Sequence, residues 1–200
     1  MNYLTDAFYW ISTGLLVPVM VFLLLGFVYS LFLVGGFYGY YTDRQKFKKE
    51  IETITGDDDA PSIRTLEFDR QIRHHPGFLR VLRSAQKNSW SEIYTAKALA
   101  DFELSAEKQL EKPKTLMRVG PMLGLMGTLI PMGPALVGLA VGDIATMAMN
   151  MQVAFSTTVI GVFLGGTGFI IYSVRKRWFT DDFYKLQFII DLARDEQIES

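Results

Sequence analysis

Two threonines, Thr128 and Thr158, stand at equal separations from one carboxylate: each lies 15 residues from Asp143. Gln152, Ser156 and Thr157 add polar groups nearby, in a stretch, 119–174, whose one charged residue is Asp143. Hydroxyls can hydrogen-bond a proton or pass it on, but at neutral pH they cannot store one. A proton path built from them needs a titratable carboxylate. The competing use of a membrane threonine is to bond back to its own helix carbonyl and do nothing more. Clustering argues for a path, because polar groups in hydrocarbon face a bundle interior or a water-filled route.

The stretch around these residues reads as a helical hairpin. Segments 119–142 and 144–174 are each long enough to cross a bilayer, which takes about 20 apolar residues. Gly142 and Asp143 supply the turn, and Asp143 can cap the second helix. At 1.5 Å per residue, both threonines lie about 22 Å from the turn, at matched depth near mid-membrane. Gly120, Gly124 and Gly127 on one helix, and Gly161, Gly165 and Gly168 on the other, crowd the same levels. Small residues at these spacings let helix backbones approach closely.

Charge is sorted along the chain. Its 200 residues are half hydrophobic with a net charge of -1, and all 20 Lys and Arg residues fall in 44–118 or 175–194. Basic residues accumulate on the cytoplasmic side of membrane segments. The sorting fits three spans with the N-terminus and hairpin turn outside and the middle stretch and tail inside. No Asp, Glu, His, Lys or Arg lies inside any span. Four segments follow: 1–42, a first span with a short external N-terminus; 43–117, cytoplasmic and helical; 118–175, the hairpin; and 176–200, a cytoplasmic helix. Lacking a basic n-region, the first span is expected to stay as an anchor rather than be cleaved.

Residues 7–42 carry no charge and have aromatics at both ends, among them Trp10 and Tyr38, as interfaces favour. One tilted helix is expected, with Pro18 as a kink. It continues past the membrane through 43–54, to a break at Gly56, Asp57–59 and Pro61. Ser62 is a cap for a short helix to Arg73, and His74, His75, Pro76 and Gly77 interrupt again. A longer helix follows, with Leu99, Phe102, Ala106 and Leu110 on one face, running past Pro113 into the second span. Phe179, Phe183, Leu186 and Ile190 share a face of the tail. Such helices pack as a small cytoplasmic bundle. Pro113, Pro121, Pro131 and Pro134 are read either as kinks re-satisfied by neighbours or as joints in a moving helix.

Several functions are not expected. The absence of cysteine excludes disulfides and Cys-based metal or redox sites. Adjacent His74 and His75 diverge on a helix, and Asp57–59 lack an EF-hand pattern, so no metal site and no cofactor is expected. No phosphate loop, nucleophile–base set or paired catalytic carboxylates occurs, and an enzyme is not expected. Nothing points to nucleic acid.

Gly120-Pro121-Met122-Leu123-Gly124-Leu125-Met126-Gly127-Thr128 resembles the second-span signature of the MotA/TolQ/ExbB proton-channel family. Ala154-Phe155-Ser156-Thr157-Thr158-Val159-Ile160-Gly161 resembles its third-span signature. Three spans, an outside N-terminus and a large first loop are similar to the TolQ/ExbB branch. The resemblance implies a homopentamer in the inner membrane around two copies of a single-span ExbD/TolR-like partner, whose Asp takes up and releases protons. Thr128 and Thr158 would line the route, and ion flow would turn one component inside the other to do mechanical work. TolQ/ExbB-type members usually carry a Glu five residues before the third-span Thr; here Val153 stands there, beside Gln152. The expected fold is all-α, three-span, with helices extended into a cytoplasmic bundle. The alternative function is a non-conducting membrane scaffold that assembles partner helices.

Overall fold

The computed structural model describes residues 2–55 and 75–198. Among the described residues every element is an α-helix: α1 (Asn2–Gly14), α2 (Leu16–Thr55), α3 (Pro76–Lys87), α4 (Glu92–Ala140) and α5 (Ile144–Ile198). Three helical stretches, beginning at Ala7, Glu92 and Ile144, are long and apolar enough to cross a membrane. The chain is a multi-pass membrane protein. The short helix expected from Ser62 to Arg73, Asp57–59 and His74 lie outside the described residues.

Pro18 divides the first span more sharply than a kink. Lacking an N–H, it cannot bond the Gly14 carbonyl four residues back, and the helix is interrupted at Leu15. The ladder resumes when Val19 N–H donates to Leu15 O at 3.0 Å. In contrast, α4 continues through Pro113, Pro121, Pro131 and Pro134.

The hairpin turn is closed from both sides. Gly142 has φ +78°, a left-handed conformation that favours glycine. Gly142 N–H donates to Leu139 O and Asp143 N–H to Gly138 O, satisfying the last carbonyls of α4 in a Schellman arrangement. Asp143 then caps α5: its carboxylate accepts from the Thr146 backbone N–H at 3.0 Å and from the Thr146 hydroxyl. These two bonds hold the Asp143 carboxyl below the usual carboxylate range.

The chain forms two compact units. The first joins Met1–Val34 to Lys112–Tyr172 and contains the hairpin. Its large apolar side chains, such as Phe22, Leu25, Leu129 and Val159, are widely exposed, as lipid-facing surfaces are. Inside it, Val19 and Leu23 of the first span bury against Leu116 and Leu164, with Leu123, Ile130 and Ile160 alongside.

The second unit joins Gly35–Glu111 to Ser173–Ser200. Its core gathers Phe47, α3 residues Phe78 and Leu82, α4 residues Phe102 and Ala106, and α5 residues Phe179, Leu186, Ile189 and Ile190. Leu99, Leu110 and Phe183 pack on its edge. Here α3 starts at Pro76, a proline placed where a helix needs no N–H. A turn at Ser89 and Trp90, both with positive φ, separates α3 from α4 where a single long helix was expected. Buried Trp90 holds it, its backbone N–H donating to Ala85 O at 2.9 Å.

Candidate functional site

Glycine decides how the two hairpin helices meet. A Cβ on Gly161 would fall 2.6 Å from Gly124 Cα, and one on Gly165 would fall 2.5 Å from the Pro121 ring. A Cβ on Gly120 would meet Leu164 Cβ at 2.6 Å, and one on Gly168 the Met117 backbone N at 2.5 Å. These contacts set one antiparallel register, in which 124 faces 161 and 117 faces 168. In that register Thr128 and Thr158 lie at one level.

Thr157 occupies the seam itself. It is buried, its side chain fills the space where Gly127 lacks one (a Cβ there would sit 2.6 Å from Thr157 Oγ1), and its hydroxyl donates to Val153 O and Ala154 O. Each next residue turns by about 100° on an α-helix. In antiparallel neighbours, one step past the seam on each helix turns both side chains toward the same side of the pair. Thr128 follows Gly127 and Thr158 follows Thr157, so the two hydroxyls share one side of the hairpin. Stepping backwards leads to the other side, where Ser156 lies with Gln152 one turn away. The first span packs on that other side: Met20 and Leu24 line, with Gln152, Ser156 and Met149, a groove of about 340 Å³. The five polar residues thus separate into one in the seam, two beside the first span, and Thr128 with Thr158 on the side away from it.

Each hydroxyl bonds within its own helix. Thr128 Oγ1 donates to Leu125 O at 2.7 Å, Thr158 Oγ1 to Ala154 O at 2.9 Å, and Ser156 Oγ to Gln152 O at 2.8 Å. A hydroxyl that donates its one proton keeps two acceptor lone pairs. Thr128 and Thr158 are half-buried, so these lone pairs remain approachable. The pair can accept a hydrogen bond from a hydronium ion, a water or a protonated carboxyl brought alongside. Val153 is half-buried on the first-span side of the seam.

A second polar cluster, in the other unit, escaped the sequence reading. Arg44 is paired with Asp182 through Nη1 and with Asp181 through Nη2 at 2.8 Å. Its guanidinium lies over the Phe47 ring at 5.3 Å. Asp182 is fully buried, and its second oxygen lies 3.3 Å from His75 Nε2, itself 3.4 Å from the Tyr40 hydroxyl. His75 caps α3: Nδ1 accepts the Phe78 N–H at 3.0 Å, which assigns the ring proton of neutral His75 to Nε2, facing Asp182. His75 is therefore an internal cap. The missed signal was Asp182 itself, a carboxylate between Phe179 and Leu186 on an apolar helix face.

Three long apolar helices, a glycine-lined hairpin seam and two threonine hydroxyls at one level, with no Asp, Glu, His, Lys or Arg in 119–142 or 144–174, define a class of helical membrane subunit. The model of the MotA/TolQ/ExbB proton channel family matches residues 63–187, and the chain belongs to that family. No curated protein matches the sequence.

Proposed function

We propose that this chain is the channel and motor subunit of a proton-driven complex of the three-span TolQ/ExbB type. Five copies surround two copies of a single-span ExbD/TolR-like partner, and the partner's membrane Asp carries the proton past Thr128 and Thr158. The driven movement does mechanical work. The subunit sits in the inner membrane with its N-terminus outside and its C-terminus inside, as the sorted Lys and Arg residues favour. The observation that carries the reading is the pairing of Thr128 and Thr158 at one level, on the side of the hairpin that the first span leaves uncovered. On this reading Thr157 serves packing in the seam, and Gln152 and Ser156, exposed beside the first span, lie off the path.

The internal hydrogen bonds of both threonines favour the second reading, a non-conducting scaffold. Substitution separates the two. Thr158→Val keeps the shape and deletes the hydroxyl; a membrane hydrogen bond is worth only about 0.6 kcal/mol, so assembly should hold. In the complete complex, proton flux should be abolished in Thr158→Val, weakened in Thr128→Val and largely kept in Thr158→Ser. Wild-type flux in Thr158→Val, with the complex intact by native mass spectrometry, would make it a packing residue and leave the scaffold reading.

A further inference from the structure

The second unit turns two stripes outward that its own core does not use. On α4, the buried face is Thr95, Phe102 and Ala106; Ile93, Lys97, Ala100 and Leu104 lie opposite, at spacings of four, three and four, and all are exposed. On α5, the buried face is Asp182, Leu186, Ile189 and Ala193; Tyr184, Phe188 and Asp191 lie opposite, at spacings of four and three, with Leu192 and Asp195 completing the exposed stripe. Ile93 is 80% and Phe188 56% exposed, in a unit whose other large apolar groups are mostly covered. Spacings of three and four are those of a helix–helix seam.

The two stripes match in height and charge. Arg194 donates to Thr95 Oγ1 at 2.8 Å, and the rings of Phe102 and Phe179 lie 6.4 Å apart, so α4 and α5 run antiparallel here. Between these two contacts, Lys97 lies level with the stretch that carries Phe188 and Asp191. A ring of identical copies about an axis along these helices keeps each residue of every copy at one height. Its contacts are heterologous, joining two different faces. The α4 stripe presents the cation Lys97 where the α5 stripe presents the anion Asp191, each between apolar neighbours. Neither stripe complements itself: two α5 stripes would set Asp191 and Asp195 against like charges.

We infer that the occupant of each stripe is a second copy of this chain, the outer face of α4 in one copy docking on the outer face of α5 in the next. The inference rests on the assembly proposed above and assigns its contact surfaces. Exchange of Lys97 and Asp191 for cysteine tests it cleanly, because the sequence has no other. The full-length double variant, Lys97→Cys with Asp191→Cys, is oxidised in native membranes and run under non-reducing conditions. A ladder of covalent multimers is expected, collapsing to monomer on reduction, with no ladder from either single variant. Native mass spectrometry of the same preparation reads the assembly independently. Multimers without a ladder, or a cross-link confined to single chains, would show that the copies meet elsewhere. A monomer by mass spectrometry would remove the assembly reading itself. As a second variant, Phe188→Asp should lower the multimer fraction at least severalfold while Phe188→Leu should not, with helix content unchanged in both; equal assembly of the two would also overturn the inference.

Discussion

At the scale of single residues, the hairpin depends on atoms that are missing. Gly161 meets backbone, not a flexible side-chain end, so an added methyl has nowhere to rotate. Gly161→Ala should force the helices apart and cost about 1–3 kcal/mol, the usual penalty of overpacking. Gly166, on the same helix, has open space where its Cβ would stand. Gly166→Ala should be neutral or stabilising by up to about 1 kcal/mol, since alanine is the better helix former. Thermal unfolding of the purified protein in detergent compares them; equal losses would mean that the close approach of the helices does not matter. Spacing alone shows that small residues gather on one stripe, because close packing is the use of a membrane glycine. It does not sort neighbouring hydroxyls. Ser156, Thr157 and Thr158 differ by about 100° steps, and only the seam through Gly124 and Gly161 tells which is buried in it. The signal was nonetheless present: Thr157 stands four residues before Gly161 and eight before Gly165, which places it on the glycine stripe and Thr158 off it.

Among elements, polar caps and one buried ion pair do what apolar periodicity cannot. The periodic faces of α4 and α5 were legible, since Phe102, Ala106, Leu186 and Ile190 repeat every three or four residues and all enter the core. The interruption at Leu15 and the turn at Trp90 were not, because one depends on a carbonyl four residues before Pro18 and the other on a tryptophan joining the buried core of the second unit. Nor was the partnership of Arg44 with Asp182, separated by 138 positions. Removing one member leaves a buried charge uncompensated, so Asp182→Ala should destabilise the second unit by about 3–5 kcal/mol. Arg44→Met combined with Asp182→Leu should recover most of that loss, because a buried pair is often replaceable by apolar side chains of similar volume. Denaturation of the single and double variants supplies the comparison, and additive losses would contradict a coupled pair. The cap at Asp143 makes a pH prediction. Its folded-state pKa is depressed, so its contribution is present above the unfolded value of about 3.9 and is lost as pH falls through the folded one. Wild type should exceed Asp143→Ala in thermal stability near neutral pH, and the difference should vanish in strong acid. A difference that persists there would assign the stabilisation to packing instead.

For the whole molecule, the arrangement of titratable groups matters more than any one contact. The sorted Lys and Arg residues and the three long apolar helices made the membrane architecture legible, because the bilayer imposes length and charge rules that composition obeys. Those rules leave the three spans, 7–42, 119–142 and 144–174, without an Asp, Glu, His, Lys or Arg. A proton in hydrocarbon must ride on a group that can bind and release it, and an unpaired charge there is costly. Thr128 and Thr158 offer hydrogen bonds along the proposed route but no such group. Liposomes holding this chain alone should therefore keep an imposed pH gradient as long as empty ones do. Co-reconstitution with a single-span partner carrying a membrane Asp should open the leak, and Asp→Asn in that partner should close it again. The sequence of three results separates carrier from lining. If the chain alone dissipates the gradient rapidly, the carrier lies within it, and the assignment of Thr128 and Thr158 as a lining that serves another polypeptide's carboxylate fails. If the partner opens the leak and Thr158→Val in this chain closes it without loss of the complex, the hydroxyl and the carboxyl act on one path.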